Sequence, residues 1–150
     1  MTKFKTLNFE LTCGAERRAA SNVVTTAGLN ALRDVLGFFS SSTSRGSYAP
    51  SHVALGTSAT TAKESDTALG AVVSATSQEL YARRFAASGV GAEFQARYLT
   101  SEGNGETYSE AGLFDDPAAT GNLLARVVFS PIAKNDADEL VINWTWTFTA

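Results

Sequence analysis

The chain has 150 residues, of which 44% are hydrophobic and 18% charged, so a disordered polymer is excluded and one domain over residues 1–150 is expected. Its formal net charge is −3 and no basic stripe is present, which excludes a nucleic-acid binder. The single cysteine excludes an internal disulfide framework. We expect no signal peptide and no membrane span, because the N-terminus soon becomes charged and no apolar run approaches ~20 residues.

The first segment of the chain alternates between apolar and polar residues. Leu7, Phe9 and Leu11 alternate with polar neighbours, which predicts a half-buried strand. Cys13 at its end is predicted to be a small buried residue. Residues 17–24 are compatible with a second strand.

A helix is predicted for residues 27–36, where the hydrophobic period changes. Thr25 or Thr26 can cap its first turn. Its leucine stripe is expected to pack on a sheet and consists of Leu29, Leu32 and Leu36.

The remainder of the chain is typical of short strands separated by turns. Strands are predicted at residues 52–56, 79–85, 93–99, 107–114 and 123–129. Between the first two, Ser65 or Asp66 is expected to cap a single helical turn that ends at Leu69.

The last strand has the clearest alternation. Its apolar face is formed by Leu140, Ile142, Trp144, Trp146 and Phe148. Burial of five large side chains contributes about 7–15 kcal/mol before opposing costs, so this strand is expected in the middle of a sheet. Together the elements predict a mainly β fold, an antiparallel β-sandwich of about seven or eight strands with one packed α-helix.

No catalytic, cofactor-binding or metal-binding motif emerges, so we expect a protein that is not an enzyme and needs no cofactor. A nucleophilic pair of Cys13 with the sole histidine, His52, lacks any feature that would activate the thiol. The loop carboxylates at 115–116 and 136–139 are expected to be solvated, with a bound calcium ion as the alternative. Trp144 and Trp146 are expected in the core, with a sugar-stacking surface as the alternative.

Glu110 is the most unusual charge, because it lies among apolar residues on a strand face that alternation shares with Tyr108, Gly112 and Phe114. A buried carboxylate needs a partner. Arg126 on the following strand is the candidate, so the sequence predicts a structural ion pair between them.

Several short motifs, in this order, resemble the N-terminal, virion-attaching domain of bacteriophage tail-collar fibre proteins and related small phage virion proteins. The helix contributes a Gly-x-x-x-Leu pattern at residues 28–32. The motifs that follow are Leu55-Gly56-Thr57, Asp66-Thr67-Ala68-Leu69, Glu110-Ala111-Gly112-Leu113-Phe114-Asp115 and Pro131-Ile132-Ala133-Lys134. The family has a second glycine where this chain has Ser58, so that loop is expected to differ.

The resemblance implies a viral structural protein that is assembled in the host cytoplasm and located in the virion. Because the chain stops at Ala150 without a fibre shaft, we expect an adaptor in the tail, neck or baseplate region, and a homotrimer is the favoured state. A capsid decoration protein and a carbohydrate-binding module are the alternatives. Other phage virion proteins are the expected partners, with no nucleic acid and no membrane. Candidate interface residues are Phe38, Phe39, Tyr48 and Tyr81, with the core as an equal alternative for Phe38 and Phe39.

Overall fold

A computed structural model describes residues 3–37, 49–85 and 91–149 of the chain. One α-helix, α1 (Thr26–Gly37), and one 3-10 turn (Ser74–Thr76) occur in this part. The strands are β1 (Lys3–Cys13), β2 (Glu16–Ser21), β3 (Val23–Val24), β4 (His52–Gly56), β5 (Gln78–Glu79), β6 (Ala82–Phe85), β7 (Gly91–Tyr98), β8 (Thr107–Phe114), β9 (Leu123–Ala133) and β10 (Leu140–Thr149).

The strands form two five-stranded sheets that face each other. Sheet A has the order β2-β1-β10-β7-β6 and sheet B the order β3-β9-β8-β4-β5. All of these strand pairs are antiparallel, which confirms the predicted β-sandwich with one helix. The described strands number ten because two predicted strands each divide between the sheets. Residues 17–24 supply β2 and β3, and residues 79–85 supply part of β5 and all of β6.

β10 occupies the centre of sheet A, as its alternation predicted. Its residues Leu140, Ile142 and Trp144 are fully buried and Trp146 is almost so. Across the sheet, Phe9 and Phe94 flank Trp144 in register. The rings of Phe9 and Trp144 pack edge to face with centroids 5.0 Å apart, an arrangement that aromatic quadrupoles favour.

The helix begins as predicted, and Leu32 of the predicted leucine stripe packs against the core, but Leu29 does not. The side chain of Leu36 lies outside the described residues. The Thr25 hydroxyl accepts a hydrogen bond from the Gly28 N–H at 3.1 Å and thereby caps the first turn. Gly28 touches sheet B so closely that a Cβ there would lie 2.1 Å from the Leu124 carbonyl oxygen. This contact turns Gly28 and Ala31 inward and leaves Leu29 38% exposed. The prediction for Leu29 was therefore wrong.

Neither α1 nor any other helix within the three described ranges is long and apolar enough to cross a bilayer. Cys13 is buried at the end of β1, as predicted. Burial, followed by the nearby Asp138 carboxylate, raises the pKa of its thiol.

Candidate functional site

The outer face of sheet B is covered by a long connection, residues 57–73, which we call the strap. Its two ends are held together beside β4, because the Thr57 N–H donates to the Ala71 carbonyl at 3.0 Å and the Val73 N–H to the Leu55 carbonyl at 2.9 Å. Its middle is tied to the start of α1, where the Thr26 N–H donates to the Glu64 carbonyl at 2.8 Å. The strap is thus anchored at its ends and at its centre.

Glu110 on β8 is fully buried beneath the strap. Its carboxylate accepts hydrogen bonds from strap backbone, from the Ala71 N–H at 2.7 Å, the Gly70 N–H at 3.0 Å and the Ser58 N–H at 3.3 Å. Arg126 on β9 donates to the same carboxylate from Nε at 2.9 Å, and its Nη2 lies 2.8 Å from Glu110 Oε2. The predicted ion pair is present, and it fastens the strap as well.

A β-bulge decides which way Glu110 faces. The register of β8 against β9 shifts between Tyr108 and Glu110. Tyr108 consequently belongs to the core between the sheets, where Ala111 and Leu113 also pack. The prediction that Glu110 shares a strand face with Tyr108 was wrong, because strict alternation does not hold across a bulge.

Arg126 connects Glu110 to a second carboxylate, that of Asp66 in the strap. Its Nη1 donates to Asp66 Oδ2 at 2.8 Å and its Nη2 to the Thr60 carbonyl at 3.0 Å. Burial by itself would lower the pKa of the Arg126 guanidinium, but the hydrogen bonds that it donates to Asp66 and Glu110 outweigh burial, and the pKa is raised. The guanidinium, only 3% exposed, therefore stays charged between two carboxylates.

Asp66 does not cap a helical turn, contrary to the prediction. Its carboxylate accepts from the Lys63 N–H at 2.8 Å and from Arg126, so it closes a local turn and bonds the strap to β9. Burial by itself would raise the pKa of Asp66. The hydrogen bonds from the Lys63 N–H and from Arg126, together with the positive charge of Arg126, outweigh burial, so the pKa lies below its ordinary value. Sequence reasoning missed this role because Asp66 alone is equally typical of a helix cap.

Glycines leave room for the charged groups. At Gly56 a Cβ would lie 2.5 Å from Glu110 Oε1 and 2.6 Å from the Ala71 carbonyl oxygen. At Gly70 it would lie 2.5 Å from Ser58 Oγ and 3.1 Å from Arg126 Nη2. The contact of Gly56 with the Ala71 backbone is too short for a side chain, whereas one at Gly70 would require Ser58 and Arg126 to shift, so glycine at these positions allows the strap to approach Glu110.

A small apolar cluster lies beside the ion pair under the strap. Leu69 packs there with Ala54, Phe114 and Leu123. The same residues leave little space for a side chain at Gly112, because a Cβ there would lie 2.9 Å from Leu69 and 2.7 Å from Leu123. The neighbouring Leu113 points instead into the core between the sheets. In the Gly-Leu-Phe sequence of β8, Gly112 and Phe114 therefore lie on the strap side of sheet B and Leu113 lies on the core side.

The last motif, Pro131-Ile132-Ala133-Lys134, ends in a buried lysine. Lys134 is 2% exposed, and its ammonium donates to Asn104 Oδ1 at 2.8 Å, to the Asn135 carbonyl at 2.9 Å and to the Asp138 carbonyl at 2.7 Å. These bonds use the three donors of the ammonium. Lys134 thus fixes the turn before β8 and the turn before β10.

The remaining predicted residues lie apart from the strap. Trp144 and Trp146 are buried in the core, which confirms the core prediction and removes them as a sugar-stacking surface. Tyr81 is 64% exposed. Phe38, Phe39 and Tyr48 lie outside the described residues.

The loop carboxylates show no ion-binding arrangement. Asp115 accepts from the Asn122 N–H at 2.7 Å and from its side-chain amide at 2.8 Å, so it closes its own loop. Across the described residues, no group of three or more His, Cys, Asp or Glu side chains is placed to hold a metal ion. Cys13 lies on β1 of sheet A and His52 on β4 of sheet B, and the His52 ring contacts the Ser51 hydroxyl at 2.8 Å.

The pH dependence of stability tests the role of Asp66. Because its folded-state pKa lies below its ordinary value, its contribution is complete above about pH 4 and is lost as the pH falls through the folded-state pKa. We expect Asp66→Asn to lower the free energy of unfolding by about 1–2 kcal/mol at neutral pH and by less in acid. Urea unfolding at about pH 7 and at about pH 3 measures the loss of stability under the two conditions.

The matched control for this prediction is Asp116→Asn, at an exposed carboxylate that makes no side-chain hydrogen bond within the described part of the chain. It should leave both unfolding curves close to those of the wild type. A difference between wild type and Asp66→Asn that is the same at both pH values would contradict the role of the Asp66 charge.

Comparisons with protein-family models, with curated proteins and with solved structures found no match to this chain.

Proposed function

We propose that the protein is a non-enzymatic bacteriophage virion structural protein, an oligomeric adaptor in the tail, neck or baseplate region to which fibres attach. The observation that carries this proposal is the meeting of separate motifs at the strap. Three motifs that are far apart in sequence meet there: Gly56 lies against Glu110, Leu69 lies against Gly112, and Asp66 is joined to Glu110 through Arg126.

Physical coupling strengthens a resemblance that rests on short motifs. Isolated matches that arose by chance would have no reason to share one ion network. Here Glu110 binds the strap, Gly56 makes space for its carboxylate, and Arg126 bonds Glu110 to Asp66. The motif residues therefore form one structural unit, in which a change at one position affects the others.

The geometry of this unit suits an assembly component. The Glu110 carboxylate is fully buried and its oxygens accept hydrogen bonds from strap backbone and from Arg126, so it fastens the strap and offers no open face to a substrate. A sandwich with its long connection fastened in this way is a rigid module. Such modules present fixed surfaces to partners in a particle.

Locating the protein in purified particles tests the proposal. Particles released from the host that carries the gene would be examined by quantitative mass spectrometry and by antibody labelling in the electron microscope. A handful of trimers per particle supports the tail, neck or baseplate location. Hundreds of copies on the shell would replace the adaptor with a capsid decoration protein, and absence from the particle would overturn both.

Exposed aromatic side chains are candidates for the contacts between subunits, and within the described residues Tyr81 is the one that is exposed. We expect the wild type to form a trimer of about 47 kDa, three times the subunit mass of 15.8 kDa. Tyr81→Ser should raise the dissociation constant of the trimer at least tenfold, through loss of about 1.4 kcal/mol or more of binding energy. Light scattering after gel filtration over a dilution series measures this.

Leu29→Ser is the control, because Leu29 is also exposed but lies on the helix. It should leave the trimer intact. Equal dissociation of both variants would contradict a specific contact at Tyr81, and a wild type that is monomeric throughout the series would contradict the oligomer.

A further inference from the structure

A polar groove runs across the outer face of sheet A, on the side of the sandwich away from the strap. Its volume is about 290 Å³ and its lining comes from β1, β10, β7 and β6. This volume lies just below the usual range for small-molecule sites, so the groove suits only a small ligand. The groove is independent of every motif described above.

The strand register arranges the lining in two adjacent rows. Glu10, Asn143 and Gln95 are register partners in the first row. Thr145, Glu93 and Arg84 are partners in the second row. Adjacent strands are about 4.8 Å apart, so the sheet holds these polar groups at short and fixed separations. A preorganised floor of this kind loses little entropy when a ligand binds.

The charges around the groove are already paired. Glu93 Oε2 accepts from Arg84 Nε at 2.7 Å. Glu10 is paired with Arg17 beside the groove. No net charge is left to select an ionic ligand, so the groove favours a neutral one.

Gln95 supplies an unused hydrogen-bonding group. It is 8% exposed, its Nε2 donates to Asn143 Oδ1, and its Oε1 is buried without a partner among the described residues. An unpaired buried carbonyl destabilises the fold, because it has lost its hydrogen bonds to water without replacement. Because Oε1 is itself buried, a ligand hydroxyl donates to it only after the Gln95 amide turns and exchanges its hydrogen bond with Asn143 Oδ1 for one with the ligand.

We propose that this groove binds a neutral saccharide of one or two sugar units. Sugar hydroxyls both donate and accept, which matches a floor of amides, a threonine hydroxyl and carboxylates. The unpaired Gln95 oxygen can accept a hydrogen bond from a sugar hydroxyl. The Asn143 NH₂ group has no acceptor within the described part of the chain, so it can donate to a sugar oxygen. The inference does not depend on the virion role, and it uses neither Trp144 nor Trp146.

Side-chain amide signals in a nitrogen–proton correlation spectrum give a direct test. The neutral probes are methyl α-glucoside, methyl α-galactoside and maltose, and the charged comparison probes are gluconate and glucosamine. We expect at least one neutral probe to shift the NH₂ signals of Gln95 and Asn143. Asn143→Ala should weaken that binding at least tenfold, which corresponds to about 1.4 kcal/mol.

Two further variants keep the test decisive. Asn30→Ala, at an exposed position on the helix, should bind as the wild type does. Glu93→Gln replaces Asn143→Ala if that variant fails to fold, and it should weaken binding by a similar factor. Absence of shifts with every neutral probe at its highest soluble concentration would overturn the proposal. So would binding of a charged probe alone, or shifts that persist unchanged in Asn143→Ala.

Discussion

Replacing Glu110 with alanine is expected to lower the free energy of unfolding by about 3–5 kcal/mol. The substitution leaves the buried Arg126 with Asp66 as the one carboxylate still paired with it, and it leaves the Ser58, Gly70 and Ala71 N–H groups without an acceptor. For a domain of this size the midpoint of thermal unfolding should fall by about 10 °C. Calorimetry and urea unfolding measure the two quantities.

Glu139→Ala is the matched control, because Glu139 also pairs with an arginine, Arg97, at 2.7 Å. That pair is solvent-exposed, and exposed ion pairs contribute little. We expect thermal unfolding of this variant to be close to that of the wild type. If both variants lost the same stability, burial would not distinguish the two ion pairs, and the role assigned to Glu110 would be wrong.

Gly56→Ala is expected to open the strap without removing any charge. The added methyl group would lie 2.5 Å from Glu110 Oε1 and 2.6 Å from the Ala71 carbonyl oxygen, so the strap must move away from β4. Overpacking of this kind costs about 2–3 kcal/mol. Trypsin should then cut after Lys63, which is exposed within the strap, at least ~10-fold faster than in the wild type.

Gly105→Asn controls for the loss of a glycine. A Cβ at Gly105 would have no atom within 4 Å, and asparagine tolerates the φ of +87° better than most residues. Mass spectrometry of the trypsin fragments should show cleavage after Lys63 at the wild-type rate in this variant. Rapid cleavage there, or slow cleavage in Gly56→Ala, would show that the strap is not held by its fit against Gly56.

The sequence pattern alone predicted the structure where buried and exposed residues alternate along a strand. The alternation from Leu140 to Trp146 predicted both the strand and its central place, because that much apolar surface needs a neighbour on each side. The pairing of Glu110 with Arg126 was also predictable. A lone carboxylate in an apolar strand requires a cation, and the flanking strand offers one.

The errors arise where tertiary contacts decide between local alternatives. The bulge before Glu110 reverses the strand face, and no residue type in that segment specifies it. Gly28 selects the inward face of the helix through its close approach to Leu124 and Val24, which leaves Leu29 exposed. Strands β3 and β5 are two residues long, which is too short for an alternation of apolar and polar residues to be recognised. The role of Asp66 depends on Arg126, sixty residues away in sequence.

The central place of β10 has a consequence for biosynthesis. Its neighbours β1 and β7 belong to earlier parts of the chain, so sheet A stays split until residues 140–149 have left the ribosome. Contacts between such distant segments carry a large loop-closure entropy, which slows folding of nascent chains. Until then the facing edges of β1 and β7 keep unpaired backbone N–H and C=O groups, for which chaperones or neighbouring nascent copies compete.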